Sequence, residues 1–359
     1  MPIIWCAISG HGYGHAAQVI PVLNALGRLV PDLTAVLRTT VPASFFQDRL
    51  RIPWNHQPVQ QDVGCLQRGP LQIDVPATWE THRRFHAEWE QRTKQEIAAL
   101  RSAVPQVVLS DTSYLALWAG SEAGIPAVGL ATFTWSEVLR PLADVGRPEH
   151  QMLLSDIERY YGRTELALRI APGLPLSAMQ RVIDVGPIAE PAPPRRKEIR
   201  AHVGIPDTEL LVLIGFGGIP LSSLPWQAME QMKGYRFIVD GAVSQPSSRI
   251  LALSSLPFRF STLLASVDVV MTKPGYGTVV ESVAAGVPIV YVRRYNFADE
   301  APLVDYLGRY GRASQLALED FHSGRWRPAL EAVCAQANKA EPPACTGAAE
   351  AAAYLAKYF

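Results

Sequence analysis

The segment from Asp268 to Val292 constrains the fold more than any other stretch. It reads as buried strand, glycine turn, helix, tight turn and second strand. Val267 to Met271 is a short β-branched run suited to a parallel strand covered on both faces. Gly275 and Gly277 punctuate the turn, Thr278 is placed to cap the following helix, Gly286 ends that helix and Pro288 opens the next strand. A glycine turn at the carboxyl end of a parallel strand presents unpaired N–H groups and the positive end of a helix dipole, which together favour an anion. Glu281, one helical turn further on, would repel a phosphate but is well placed to accept hydrogen bonds from a ribose diol beside one. The plainer alternative is an ordinary βαβ unit with Glu281 on its surface, and the segment alone leaves both open.

The other end of the chain repeats the theme. The apolar run Ile3–Ser9 leads into Gly10-His-Gly-Tyr-Gly-His15, and a helix is expected from Ala16 to about Arg28 with Val19, Ile20, Leu23 and Leu26 on its apolar face. Two glycine-rich strand-to-helix turns at equivalent places imply an α/β protein of two Rossmann-like parallel-sheet domains facing each other across a cleft, with ligands at the carboxyl ends of the strands.

Composition agrees with two packed domains. The chain has 359 residues, 48% of them hydrophobic and 18% charged, with a formal net charge of zero. The longest basic run is Arg195-Arg196-Lys197, so nucleic-acid binding lacks its electrostatic footprint. Cys6, Cys65, Cys334 and Cys345 show neither a CxxC nor a metal-binding spacing, which suits a reduced, cytoplasmic setting. The N-terminal apolar run lacks a basic flank and is expected as a core strand rather than a signal peptide, and no stretch is long enough to span a bilayer.

Strands are expected at Ile3–Ser9, Leu33–Arg38, Gln106–Ser110, Ala127–Ala131 and Val182–Val185 in the first half. In the second they are expected at Leu210–Ile214, Arg236–Asp240, Val267–Met271 and Ile289–Val292, with a weaker one near Ile250–Leu253. A long amphipathic helix is expected from Thr78 to Ser102, and the alanine-rich tail from Gly347 is also helical. The prolines between Gly186 and Arg196 mark a linker. The expected division is a first domain at 1–190, a linker at 191–196, a second domain at 197–345 and a C-terminal helix at 346–359 that packs back on the first.

These residues resemble the GT-B glycosyltransferases, in particular glycosyltransferase family 28. The resemblance is stronger to the glycosyltransferase-like N-terminal half of L-arabinokinases, which has a similar Gly-His-Gly-aromatic-Gly-His-Ala start and a similar Gly-Tyr-Gly-Thr-Val-x-Glu stretch followed by Val-Pro-x-Val-x-Val-Arg-Arg. The resemblance implies that Gly275, Tyr276, Gly277 and Thr278 hold a nucleotide diphosphate and that Glu281 binds the ribose hydroxyls. It further implies that Asp299 and Glu300 hold hydroxyls of the donor sugar, a position where family 28 more often has Gln, and that Phe260 lies near the base. Gly217 and Gly218, in Gly215-Phe-Gly-Gly218, would approach the phosphates, and the loop Gly10–His15 would face the acceptor. Lys273 beside the glycine turn would add positive charge, unless it is a solvated strand-end lysine.

Sugar transfer needs a base for the acceptor hydroxyl, and His15 is the first choice because it follows the turn and titrates near neutral pH. Asp111, at the end of another strand, would orient it as in a catalytic dyad; each has the alternative of capping a helix. His11 is the second choice of base. His82, His86 and Glu90, each four residues from the next, are expected to form a solvated helix face rather than a metal site. Phe85, Trp89, Trp54 and Trp135 are either core or acceptor wall. The expected activity is a metal-independent, inverting glycosyltransferase with no cofactor, a UDP- or dTDP-sugar donor and a small-molecule or lipid-linked hydroxyl acceptor. The alternatives are a nucleotide-sugar hydrolase or epimerase on the same fold, or a non-catalytic nucleotide-sugar-binding module.

Overall fold

A computed structural model of the chain describes residues 1–217, 224–294, 296–337 and 339–359. The first domain is built on β1 (Ile3–Ile8), β2 (Thr34–Arg38), β3 (Trp54–Gln57), β4 (Val107–Asp111), β5 (Ala127–Ala131), β6 (Leu166–Ile170) and β7 (Val182–Val185). These seven strands form one sheet in the order β3-β2-β1-β4-β5-β6-β7, and every pairing is parallel. The second domain is built on β8 (Leu210–Ile214), β9 (Tyr235–Val239), β10 (Ile250–Ala252), β11 (Val269–Thr272), β12 (Ile289–Tyr291) and β13 (Ala313–Gln315), in the order β10-β9-β8-β11-β12-β13, again all parallel.

Side chains alternate across each central strand. Ile4, Cys6 and Ile8 of β1 pack into one core with the helix Tyr13–Leu29, while Trp5 and Ala7 pack into the core on the opposite face. Val212 and Ile214 of β8 face one core of the second sheet and Leu211 and Leu213 the other. Burial on both faces explains why these strands read as continuous apolar runs. The helix Gly347–Leu355 lies against Tyr13–Leu29 and contributes Ala351, Ala352 and Leu355 to the first-domain core.

Three strands, β3, β6 and β13, were not expected from sequence. β3 and β13 are polar edge strands, Trp-Asn-His-Gln and Ala-Ser-Gln, which carry little hydrophobic signal. In β6 Arg169 breaks the apolar pattern, and it is neutralised by Asp184 of the neighbouring β7. The expected helix Thr78–Ser102 is two helices, Val75–Ala87 and Trp89–Ala103, broken at Glu88, where φ −101° and ψ 11° leave the helical region. The break turns Glu90 away from His82 and His86. It lies exposed with Lys94, while His82 is fully buried rather than on a solvated face.

The chain order reverses beside the first strand of each sheet. β1 lies between β2 and β4, and β8 between β9 and β11. Ile8 is in register with Asp111, and Ile214 with Met271, so the loops leaving each strand pair emerge side by side. Crevices at such reversals are where open α/β sheets bind ligands.

Candidate active site

The two glycine turns line one cavity of about 480 Å³ between the domains. From the first domain come Gly10 to His15, Thr40, Gln67, Phe133 and Trp135; from the second come Gly217, Lys273, Gly275 to Thr278, Arg294, Phe297 and Asp299.

On the first-domain side the helix Tyr13–Leu29 begins three residues earlier than expected, with Gly12 at its N-cap and no side-chain cap. His15 is therefore within its first turn and turns inward instead of capping. Its Nδ1 lies 2.9 Å from Oδ2 of Asp111, with the imidazole 12% exposed and the carboxylate fully buried. Among the described residues no other hydrogen-bond donor reaches that carboxylate. The capping alternative for Asp111 does not hold, since the following helix Leu115–Ala123 starts at Tyr114 with no side-chain cap. The chain leaves Asp111 through Thr112 at φ 57°, a left-handed conformation that costs a non-glycine residue about 1–2 kcal/mol. Strain of this kind beside a buried carboxylate marks a turn held for its geometry. Burial alone would lower the His15 pKa, but the charge and contact of Asp111, with Asp62 and Asp299 further off, outweigh it and raise the pKa above 6.5.

His11 is open to the cavity and has a different setting. Its ring meets Trp135 edge-on at 5.2 Å, and its Nε2 is 3.4 Å from Gln67 Nε2. Among the described residues no carboxylate pairs with it; desolvation, then the charges of His15, Lys273 and Arg294, push its pKa down. A Cβ on Gly64 would lie 2.0 Å from the His11 ring, so only glycine lets that backbone pass.

Asp62, which sequence reading missed, ties three loops together here. It is 4% exposed and accepts hydrogen bonds from Ser9 Oγ at 3.1 Å, Ser113 Oγ at 3.0 Å and Trp135 Nε1 at 2.7 Å. Its loop follows the unexpected strand β3, so no motif pointed to it. Trp135 is thereby fixed as a wall beside both histidines.

On the second-domain side the helix Tyr276–Ala284 starts at Gly275 with no side-chain cap. Thr278 is inside the helix and does not cap it, which leaves the first N–H groups free to face the cavity. A Cβ on Gly277 would meet nothing within 4 Å. The Lys273 ammonium lies 3.5 Å from where a Cβ of Gly217 would stand and 3.8 Å from that of Gly275, between the two glycines. Burial and the neighbouring Arg294 push its pKa down to about 7, against the pull of Asp299 and Glu300. Arg294 stacks on Phe297 at 3.8 Å, donates to the Pro274 carbonyl at 3.0 Å and is held by Glu300 at 2.5 Å, so it braces the turn from behind.

No family model matches the chain. L-arabinokinase of Arabidopsis thaliana is 28% identical over 330 residues, which cover 90% of this chain and 31% of that protein. Phytolacca americana UGT2, solved with UDP-2fluoro-glucose and pterostilbene, matches with a TM-score of 0.63 at 14% identity over 100% of both chains. The calicheamicin glycosyltransferase CalG4 matches with a TM-score of 0.62 at 17% identity over 99% of this chain and 94% of its own. The fold is GT-B.

Within this GT-B cleft, His11, His15, Gly217, Lys273, Gly275, Tyr276, Gly277, Thr278 and Asp299 share the cavity, with Asp111 directly behind His15. Gly218 lies outside the described residues. Three other expected donor residues stand off the cavity wall. Phe260 fills the space beside Gly215, where a Cβ would meet its ring at 2.7 Å. Glu300 is buried against Arg294. Glu281 is half-buried beside Arg49 and Glu190; burial raises its pKa to about 7, with Arg49 opposing and Glu190 adding. Tyr276 does more than line the turn: its hydroxyl donates to the Ala171 carbonyl and accepts from the Ile188 amide, both at 2.9 Å, pinning the helix to the first domain and the linker. Of the flagged aromatics, Phe85 is core and Trp89 stacks on Tyr160 at 3.8 Å, while Trp54 is partly buried against the first-domain core. Among the described residues no three His, Cys, Asp or Glu side chains gather as a metal site, and no helix is long and apolar enough to cross a membrane.

Proposed function

We propose that this chain transfers a sugar, with inversion and without a metal ion, from a nucleoside-diphospho-sugar to a hydroxyl acceptor. The observation that carries the reading is one cavity with a His–Asp pair on one wall and an uncapped helix N-terminus with a lysine on the other. UDP or dTDP is the proposed nucleotide, and the UDP-sugar complex of the Phytolacca americana structure is consistent with it. The diphosphate sits against the N–H groups of 275–278, Gly217 and Lys273. Asp299 lies towards the donor sugar; Glu281, one turn along the helix from Thr278, and Phe260, behind Gly215, stand just off the cavity wall on the sides proposed for the ribose and the base.

In the reaction the acceptor oxygen gives its proton to Nε2 of His15, because Nδ1 is turned to Asp111. That oxygen bonds to the anomeric carbon as the bond to the diphosphate oxygen breaks, and the nucleoside diphosphate leaves with the bonding electrons. Asp111 orients the imidazole and stabilises its charged form. Lys273 and the N–H groups of the turn, which Arg294 braces from behind, receive the charge of the leaving group. A base and a leaving-group site on opposite walls suit a single in-line displacement. The test is a panel of UDP- and dTDP-sugars with and without hydroxyl acceptors, read by NMR for nucleotide release and anomeric configuration. Inverted glycoside supports the reading. Free sugar released equally without acceptor makes the chain a hydrolase, and donor binding with no turnover makes it a binding module.

A further inference from the structure

This inference rests on reading the main cavity as a sugar-transfer site. A second cavity of about 390 Å³ opens behind His11. It shares Gly10, His11, Thr40, Cys65 and Gln67 with the main one, so His11 stands on the boundary between them. Its far wall is the segment 60–67, which Asp62 anchors to Ser9, Ser113 and Trp135 and which packs against His11 at Gly64. The chamber is thus fixed by buried hydrogen bonds.

Its lining has a distinct chemistry. Thr40, Gln60, Gln67 and Thr81 offer hydroxyl and amide groups, and Asp62 brings the chamber's one carboxylate. Among the described residues the buried amide oxygen of Gln67 has no hydrogen-bond partner. Among the described residues no Lys or Arg lines this chamber, and none from the first domain lines the main cavity. The cations of the site, Lys273 and Arg294, belong to the opposite domain, where the diphosphate is placed.

We propose that this chamber is the acceptor subsite and that it takes an uncharged, hydroxyl-rich group, a sugar or polyol, in preference to a phosphate-bearing one. A phosphate entering here would meet Asp62, and the nearest cations of the site, Lys273 and Arg294, stand beyond His11 on the other domain. Hydroxyl groups, each both donor and acceptor, match the amides and threonines and satisfy the free Gln67 oxygen. Because His15 lies on the same turn as His11, a hydroxyl leaving the chamber past His11 faces the proposed base.

The experiment is saturation-transfer NMR on the full chain loaded with UDP. The probes are methyl β-glucoside, methyl α-mannoside and myo-inositol, with glucose 6-phosphate as the charged control. At least one uncharged probe should bind, and Gln67→Leu and Thr81→Val should each weaken it by about fivefold while the UDP-induced rise in Tm is unchanged. Glucose 6-phosphate binding more tightly than the glucoside in a Gln67-dependent way overturns the proposal. So does an uncharged probe that binds both variants as well as the wild type, or no binding of any uncharged probe. If UDP itself fails to raise Tm, the sugar-transfer reading fails first and takes the acceptor assignment with it, a result distinguishable from loss of the glycoside signal alone.

Discussion

The turn at 10–15 follows β1 and the turn at 275–278 follows β11, strands on opposite sides of the order reversal in their respective sheets. Each leads into a helix whose first N–H groups have no side-chain cap. Their charged neighbours differ. Beside the first stand the carboxylates Asp111 and Asp62 and, among the described residues, no Lys or Arg of that domain; beside the second stands Lys273, with Arg294 behind the turn paired to Asp299 and Glu300. The same backbone device therefore serves two purposes. Where carboxylates stand alone beside it, a histidine on the helix gains basicity and an anion is disfavoured. Where an ammonium stands beside it and the carboxylates are already paired, the N–H groups and dipole are left to bind an anion.

Removing the base tests the first half of this contrast and should give the largest effect. His15→Ala is expected to lower kcat by roughly a hundredfold or more while leaving nucleotide affinity nearly unchanged, because the donor is held by the other domain. Asp111→Asn should lose less, and the double variant should be little worse than His15→Ala alone. His15 works as a base only when neutral, and its pKa is raised, so kcat/KM should fall as pH drops through a value above 6.5. Asp111→Asn removes the main charge holding that pKa up and should move the limb to lower pH. If His11→Ala abolishes turnover while His15→Ala does not, the roles of the two histidines are reversed.

Lys273→Met tests the other half. Loss of a charge-assisted contact to phosphate is worth about 1.5–3 kcal/mol, so affinity for UDP-glucose should drop roughly tenfold to a hundredfold with a smaller change in kcat at saturation. An unchanged dissociation constant by calorimetry would take Lys273 out of the diphosphate site.

A smaller effect separates Lys273 from Glu281. The ammonium of Lys273, with its pKa pushed down to about 7, is lost as pH rises, and phosphate binding favours the charged form. The carboxylate of Glu281, pushed up to about 7, is lost as pH falls, and ribose hydroxyls favour the ionised form. Affinity for UDP-glucose, whose diphosphate stays ionised throughout, should therefore peak near pH 7 and fall several-fold on both sides. Lys273→Met should erase the alkaline limb and Glu281→Gln the acid limb. A flat profile in the wild type contradicts both assignments.

The fold was legible because its central strands are buried on both faces and its two turns carry glycine at the same place relative to the strand. The His15–Asp111 pair was legible for the same reason: both residues end or follow a central strand, and the parallel register of Ile8 with Asp111 brings them together. Asp62 was not legible. It follows a polar edge strand, and what makes it matter is three donors from distant segments, a property of the folded state alone. Glu300 was read as a sugar contact from resemblance, yet the adjacent Arg294 claims it; sequence position could not show which way a helix-start carboxylate turns. The long helix misled because Glu88 is an ordinary helix former, so nothing in its residue type marks the break.

The smallest expected effect is none at all. If leaving-group charge is met by Lys273 and the turn 275–278, then exhaustive EDTA treatment should leave kcat and KM unchanged, and added Mg²⁺ or Mn²⁺ should not raise them. The contrast between the two turns depends on this, because a divalent ion at the diphosphate would make the protein's own cations secondary. Loss of turnover in EDTA, restored by one divalent ion, would break it. The place to look would then be Asp299, which lines the cavity on the diphosphate side, more than the helix pair His82 and His86. His82 is fully buried with its pKa pushed down to about 3, and His86 already bonds the Tyr114 hydroxyl at 2.9 Å. Asp299→Asn distinguishes the cases: it should remove metal rescue if Asp299 is a ligand, and change only sugar selectivity if, as proposed, it touches the donor sugar.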